Sequence, residues 1–193
     1  NYVTALSVSN GSLLWKKVIG TARQHLFRPV RLGDRIFINS ETELVTLKAD
    51  TGDIRFIAQL DQVVASGPTL INDVAVFGGI NGVVFGHDVN ASRARWSYQL
   101  SARITTPPVA IGLNAFAADT AGAYAMLRAA NGKLLWPGRT FGPVTVAPAV
   151  DRVGIYVACE DLAMYALNRA TGKDLWQYRA TQPLTAAPTS IGL

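Results

Sequence analysis

Five aromatic residues, Trp15, Phe56, Trp96, Trp136 and Trp176, recur along the chain at intervals of 41, 40, 40 and 40 residues. A second series, Pro29, Pro68, Pro108, Pro148 and Pro188, keeps intervals of 39, 40, 40 and 40. Two markers in phase over the whole length specify a repeat, and a repeat of this size leaves few architectures open. It says little about activity, because one scaffold hosts many functions.

Each unit reads alike from proline to aromatic. One runs Ala147-Pro148-Ala149-Val150, then Gly154 to Ala158, then Met164 to Leu167, then Asp174 to Tyr178. Its neighbour repeats the plan at Val109 to Ile111, Ala115 to Ala117, Tyr124 to Leu127 and Lys133 to Trp136. Short runs of β-branched and aromatic residues bounded by turn formers predict strands, and no window sustains helical spacing. Four strands in about 40 residues is the size of a β-propeller blade. The predicted class is therefore all-β, built from four-stranded antiparallel blades, with about five repeats present and four complete. The expected layout is one domain over 1–193. It comprises a partial blade at 1–18, complete blades at about 25–60, 64–100, 104–140 and 144–180, and the start of a further blade at 184–193.

The turns carry a mechanism. Gly11, Gly52, Gly132 and Gly172 each stand four residues before an aromatic, where glycine permits the positive φ of a tight reversal between third and fourth strands. The third repeat has Ala91-Ser92 there, so its turn must be built differently or at some cost. The prolines suit first strands, where a missing N–H does no harm. Small hydroxyl residues before them (Ser66, Thr105, Thr106, Thr145 and Thr185) are placed on first strands lining a central channel. The first complete unit has Phe27-Arg28 instead, which marks Arg28 as a candidate binding residue at the channel mouth. The recurring aromatics and glycines are expected to be structural, docking one blade on the next, because a single four-stranded sheet cannot bury its own faces.

A net charge of +5 with 16% charged residues fits a basic rim, not the dense stripe with free aromatics that nucleic acid demands. No stretch approaches the roughly 18 consecutive apolar residues of a membrane-spanning helix. The lone Cys159 allows no intrachain disulfide; aligned with Ala118 of the preceding unit, it reads as a small buried residue. His25 and His87 lack metal-site spacing, and the carboxylate pairs Glu41/Glu43 and Glu160/Asp161 fall in hairpins between second and third strands. No catalytic, cofactor or metal residue is therefore predicted.

Tyr165-Ala166-Leu167-Asn168 followed by Ala170-Thr171-Gly172-Lys173-Asp174-Leu175-Trp176 resembles the tryptophan-docking repeat of quinoprotein, or PQQ-like, β-propellers. Thr4 to Trp15 is a second copy, and Leu47 to Gly52 leading to Phe56 a third. The copy ending at Trp96 lacks the glycine, and the copy ending at Trp136 has Met126 where alanine is usual. The family has two branches. One is the PQQ-dependent alcohol dehydrogenases, which use calcium and a vicinal disulfide that one cysteine cannot form. The other is a non-catalytic, BamB-like branch that serves outer-membrane protein assembly. The resemblance to the second implies a scaffold for a protein partner in the periplasm or at the outer membrane, without cofactor; a dehydrogenase fragment is the alternative. Asn1 falls at the hairpin position of Gly122 and Leu193 just after a first strand, at the position of Leu113. The expected ring thus lacks a second strand and needs further blades from outside the chain.

Overall fold

In the computed structural model, residues 1–190 are described; all of their regular structure is β, with no helix among them. The chain forms one two-stranded sheet and four four-stranded sheets, every pairing antiparallel between consecutive strands. The elements fall into two compact units, Asn1–Asp61 and Gln62–Leu193.

The first unit holds the hairpin β1 (Tyr2–Leu6) and β2 (Leu13–Val18), then the sheet β3 (Val30–Leu32), β4 (Arg35–Asn39), β5 (Glu43–Lys48) and β6 (Ile54–Gln59). The hairpin packs Trp15 and Ile19 onto Ile38, Val45 and Leu47 of that sheet.

The second unit holds three sheets. They are β7 (Thr69–Ile71), β8 (Val74–Gly78), β9 (Val83–Asp88) and β10 (Arg93–Gln99); β11 (Val109–Ile111), β12 (Asn114–Ala118), β13 (Ala123–Arg128) and β14 (Leu134–Arg139); and β15 (Ala149–Val150), β16 (Gly154–Ala158), β17 (Ala163–Asn168) and β18 (Asp174–Arg179). The middle sheet shows how they assemble. Its strands alternate, so Ala115, Ala117, Ala125 and Leu127 meet Val76 and Val84 of the sheet before it and Ile104 of the segment that joins the two sheets. Phe116, Tyr124, Met126 and Trp136 meet Ile155, Val157, Tyr165 and Leu167 of the sheet after it. Period-two alternation thus gives one sheet two cores, one on each face. The small alanines on the first face accommodate Trp96 and Tyr98, which pack against the same cluster.

Several placements differ from the sequence reading. Pro29, Pro68, Pro108 and Pro148 stand immediately before the first strands. Ser66, Thr105, Thr106 and Thr145 also lie before those strands, in bends and extended approach segments, so they are not first-strand residues. The reason is that each proline must precede the ladder, which pushes everything upstream of it out of the sheet. The recurring aromatics lie inside the fourth strands. Each is the third or fourth residue of its strand, preceded by a β-bulge: pairing skips Leu14, Arg55, Arg95, Leu135 and Leu175. The bulge re-aims the following ring toward the interior and leaves the skipped residue at the surface. Of the expected further blade at 184–193, residues 184–190 form no strand, and 191–193 lie outside the described residues.

Ser92 shows what the missing glycine costs. It adopts φ 51°, close to the 71° of Gly11 and Gly172, while Asp88 supports the turn by accepting the N–H groups of Asn90 and Ala91 at 2.8 Å each. A Cβ in this left-handed region is unfavourable by about 1 kcal/mol. The Ser92→Gly variant should therefore be more stable by about 1 kcal/mol in urea unfolding, with an unchanged m-value.

Candidate functional site

Three of the recurring aromatics, Trp15, Trp96 and Trp136, meet the glycine turns of the following repeat. A Cβ on Gly52 would lie 2.5 Å from Trp15 Cε3, one on Gly132 2.6 Å from Trp96 Cε3, and one on Gly172 2.3 Å from Trp136 Cε3. These rings therefore rest directly on peptide backbone, and any side chain at the turn would displace them. Two indoles also donate to the following repeat: Trp15 Nε1 to the Ala49 carbonyl at 3.0 Å and Trp96 Nε1 to that of Ala129 at 2.7 Å. Trp96 is confined on its other side as well, because a Cβ on Gly86 of its own sheet would fall 2.3 Å from the ring. Trp15 and Trp136 are 8% and 7% exposed, whereas Phe56 and Trp176 are each 47% exposed.

The bulge residues carry the principal ion pairs. Arg55 reaches Asp34 at 2.8 Å, and Arg95 bridges Asp73 and Asp88, the latter at 2.7 Å. Backbone N–H donation, Ala91 foremost, outweighs burial and joins Arg95 in holding the Asp88 carboxyl at about 2. Asp151 is likewise held at about 2, led by the Gly154 N–H and the Ser190 hydroxyl.

One buried carboxylate escaped the sequence reading. Asp119 is fully buried, and its two oxygens accept four backbone N–H groups, from Ser101, Ala102, Ala121 and Ala123, at 2.8–2.9 Å. It ties the loop after β10 to the hairpin between β12 and β13. The backbone pairing also corrects the position of Cys159. Cys159 N donates to the Ala163 carbonyl as Asp119 N does to that of Ala123, so its counterpart is Asp119, not Ala118. Cys159 is buried, and burial pushes its thiol up. Asp161, two residues further on, ties this hairpin to the loop after β14. Its carboxylate accepts the Phe141 N–H at 3.2 Å and the Tyr165 hydroxyl. Burial pushes the Asp161 carboxyl up, but donors led by the Tyr165 hydroxyl hold it below the usual range. Burial and Asp161 together push the Tyr165 hydroxyl up to about 12.

The remaining candidates separate. Glu43 accepts the side-chain amides of Gln24 and Gln59, and Glu160 accepts the Thr145 hydroxyl at 2.7 Å, so these carboxylates brace hairpins. His87 is buried in β9, and His25 is exposed with its ring edge-on to Phe27 at 4.7 Å. No group of three metal-ligating side chains occurs among the described residues. Arg28 is exposed and makes no ion pair among the described residues. Arg31, Asp34, Lys48 and Arg55 line an open groove of about 320 Å³, which the sequence reading missed because its residues come from three separate segments. No described helix is long and apolar enough to cross a membrane.

Two outcomes follow. Gly172→Ala should cost roughly 2–4 kcal/mol in urea unfolding, since it combines left-handed strain with overpacking against Trp136; a loss below about 0.5 kcal/mol would show that the ring yields freely. The Asp88 carboxyl is depressed in the folded state, so its contribution is present above the ordinary carboxylate pKa near 4 and is lost as pH falls toward about 2. Asp88→Asn should therefore flatten the fall in urea midpoint across that window relative to the parent protein.

The family profile described as outer membrane protein assembly factor BamB matches residues 1–136 and, in an overlapping second match, 99–191. The outer membrane protein assembly factor BamB of Legionella pneumophila (strain Paris) is 28% identical over 162 residues, covering 79% of this chain and 42% of that protein. The crystal structure of BamB from Moraxella catarrhalis superposes with a TM-score of 0.68 at 22% identity, covering 79% of this chain and 48% of that one. The computationally designed protein Ika8 superposes with a TM-score of 0.82 at 12% identity, over 95% of this chain and 57% of that one. The chain spans less than half the length of the two BamB proteins. Its fold is a β-propeller of four-stranded antiparallel blades. By a match that runs through nearly all of its repeats, the chain belongs to the PQQ-like repeat family described by the outer membrane protein assembly factor BamB.

Proposed function

We propose that this protein is a non-enzymatic propeller scaffold that binds a protein partner in the bacterial cell envelope and serves outer-membrane protein assembly. The observation that carries the reading is the family match across residues 1–136 and 99–191. The chemistry of the side chains agrees with it. Asp88, Asp119 and Asp161 spend their oxygens on backbone N–H groups or on neighbouring side chains, which is the work of loop anchors. On this reading the protein takes no PQQ and no calcium, and it resides in the periplasm or against the outer membrane.

The same proposal treats 1–193 as one repeat domain, completed by further blades, because the aromatic period runs unbroken through every repeat. Trp15, Phe56, Trp96, Trp136 and Trp176, with Gly11, Gly52, Gly132 and Gly172, are its blade-docking residues. Arg28, exposed and without an ion pair among the described residues, is its partner-binding residue. A rigid array of sheets offers such a partner loops and strand edges whose geometry needs little ordering on binding.

Titration of the purified chain with PQQ and calcium should give no saturable change in melting temperature and no quinone absorbance. A saturable shift would overturn the scaffold reading in favour of a dehydrogenase fragment. Immobilised protein should retain the outer-membrane barrel assembly machinery from envelope extracts, and Arg28→Glu should weaken that retention by about tenfold, the scale of one lost interface contact. Equal retention by both proteins would remove Arg28 from the interface.

A further inference from the structure

Two positions vary together along the repeats. Five residues after the recurring proline stand Asp34, Asp73, Leu113 and Val153. The residue skipped at the bulge is, in the same order, Arg55, Arg95, Leu135 and Leu175. Where the turn offers a carboxylate, the bulge supplies the guanidinium that binds it, as in Arg55–Asp34 and Arg95–Asp73. In the last two repeats both positions are apolar. The consequence shows where the sheets β11–β14 and β15–β18 meet. Asn114, Arg152, Val153, Asn168 and Arg169 line an open groove of about 410 Å³ there, with no carboxylate in its lining. The corresponding groove one junction earlier includes Asp73, already bound by Arg95, and holds about 70 Å³.

The larger groove lies at a formed junction, because Asn168 and Arg169 open the turn whose Gly172 meets Trp136 of the preceding sheet. Its polar groups are donors. Arg152 is exposed and makes no ion pair among the described residues. Arg169 gives one N–H to the Asp151 carbonyl at 2.7 Å, and a guanidinium has five. Asn168 turns its oxygen onto the N–H groups of Ala170 and Thr171, which leaves its amide to donate. The carboxylate next in sequence, Asp151, is already occupied by the Val153 and Gly154 N–H groups and the Tyr156 and Ser190 hydroxyls.

We propose that this groove binds a carboxylate of an acidic segment of a protein partner, with Arg152 and Arg169 clamping the oxygens and Val153 covering an apolar neighbour. A guanidinium fork matches a carboxylate in two parallel hydrogen bonds, so the site supplies the cation that the turns of this repeat no longer pair internally. The occupant is a peptide because the site is concave and lined from two successive repeats, whereas a bilayer presents a plane that cannot enter it. The inference rests on the scaffold reading for the existence of a partner, and it names a surface distinct from Arg28.

Fluorescence anisotropy with a labelled peptide alternating glutamate and leucine tests it on the 1–193 chain. The peptide should bind saturably, and its glutamine analogue should bind about tenfold more weakly or worse. The double variant Arg152→Ala/Arg169→Ala should weaken the glutamate peptide by a similar factor, with a melting temperature that confirms the fold. Arg93→Ala/Lys133→Ala removes the same charge from exposed positions outside the groove and should bind like the parent. Absence of peptide binding would overturn the proposal, as would equal binding of the glutamine analogue or equal losses in the two double variants. Phosphatidylglycerol vesicles that bind through Arg152 and Arg169 while the peptide does not would overturn it in favour of a lipid phosphate. If the peptide fails to bind but the immobilised protein still retains the barrel assembly machinery, the groove falls and the scaffold reading stands. If the peptide binds and that retention fails, the outer-membrane reading falls and the groove stands.

Discussion

An indole laid flat on a glycine peptide is the contact on which the junctions at Trp15, Trp96 and Trp136 depend. It does two jobs that no other pair of residues does here. The ring buries a large apolar surface between successive sheets, and the glycine turn, having no side chain, lets the sheets approach closely enough for the rest of their faces to interdigitate. The bulge before each aromatic aims the ring; without that extra residue the side chain would take the alternation of a regular strand and lose its seat. A two-residue device at these three turns thus sets the spacing of the sheets it joins.

Magnitudes show why this contact outranks the visible ion pairs. Each fully buried side chain such as Phe116, Leu127 or Leu167 contributes about 1.5–3 kcal/mol. A surface pair such as Arg55–Asp34 contributes about 0–1 kcal/mol. The two faces of the β11–β14 sheet therefore dominate, and the charges trim the edges. Buried carboxylates hold the loops instead. Asp119 satisfies four N–H groups that would otherwise be orphaned, and when cysteine occupies the equivalent position 159, Asp161 takes over part of that work. The junction keeps its loop tethered while the residue doing it moves.

The repeat, its strand count and its turn glycines were legible in the chain because they recur: Trp96 and Trp136 announce each other, and Gly132 predicts Gly172. Ser92 was legible as a departure, and the structure shows the same left-handed turn made with a costlier residue. What does not recur was not legible. Ser40, Gly79, Asp119 and Cys159, four different residue types, occupy one structural position, so periodicity hid the anchor and misaligned Cys159 by one residue. The hydroxyl residues before the prolines were misplaced onto strands because pattern reading fixes an element better than its boundary. Arg28 could be singled out only as an exception.

The amino-acid order by itself determined the all-β repeat, because alternation with period two and glycine turns on a 40-residue beat permit little else. Tertiary structure decided which face of each sheet meets which neighbour, where the bulges fall, and which carboxylates are spent on backbone. Those outcomes depend on residues far apart in sequence arriving at one place. Trp15 finds Gly52 and Trp136 finds Gly172 only once whole sheets have stacked, and only then does a ring become buried or remain exposed, as Trp176 does.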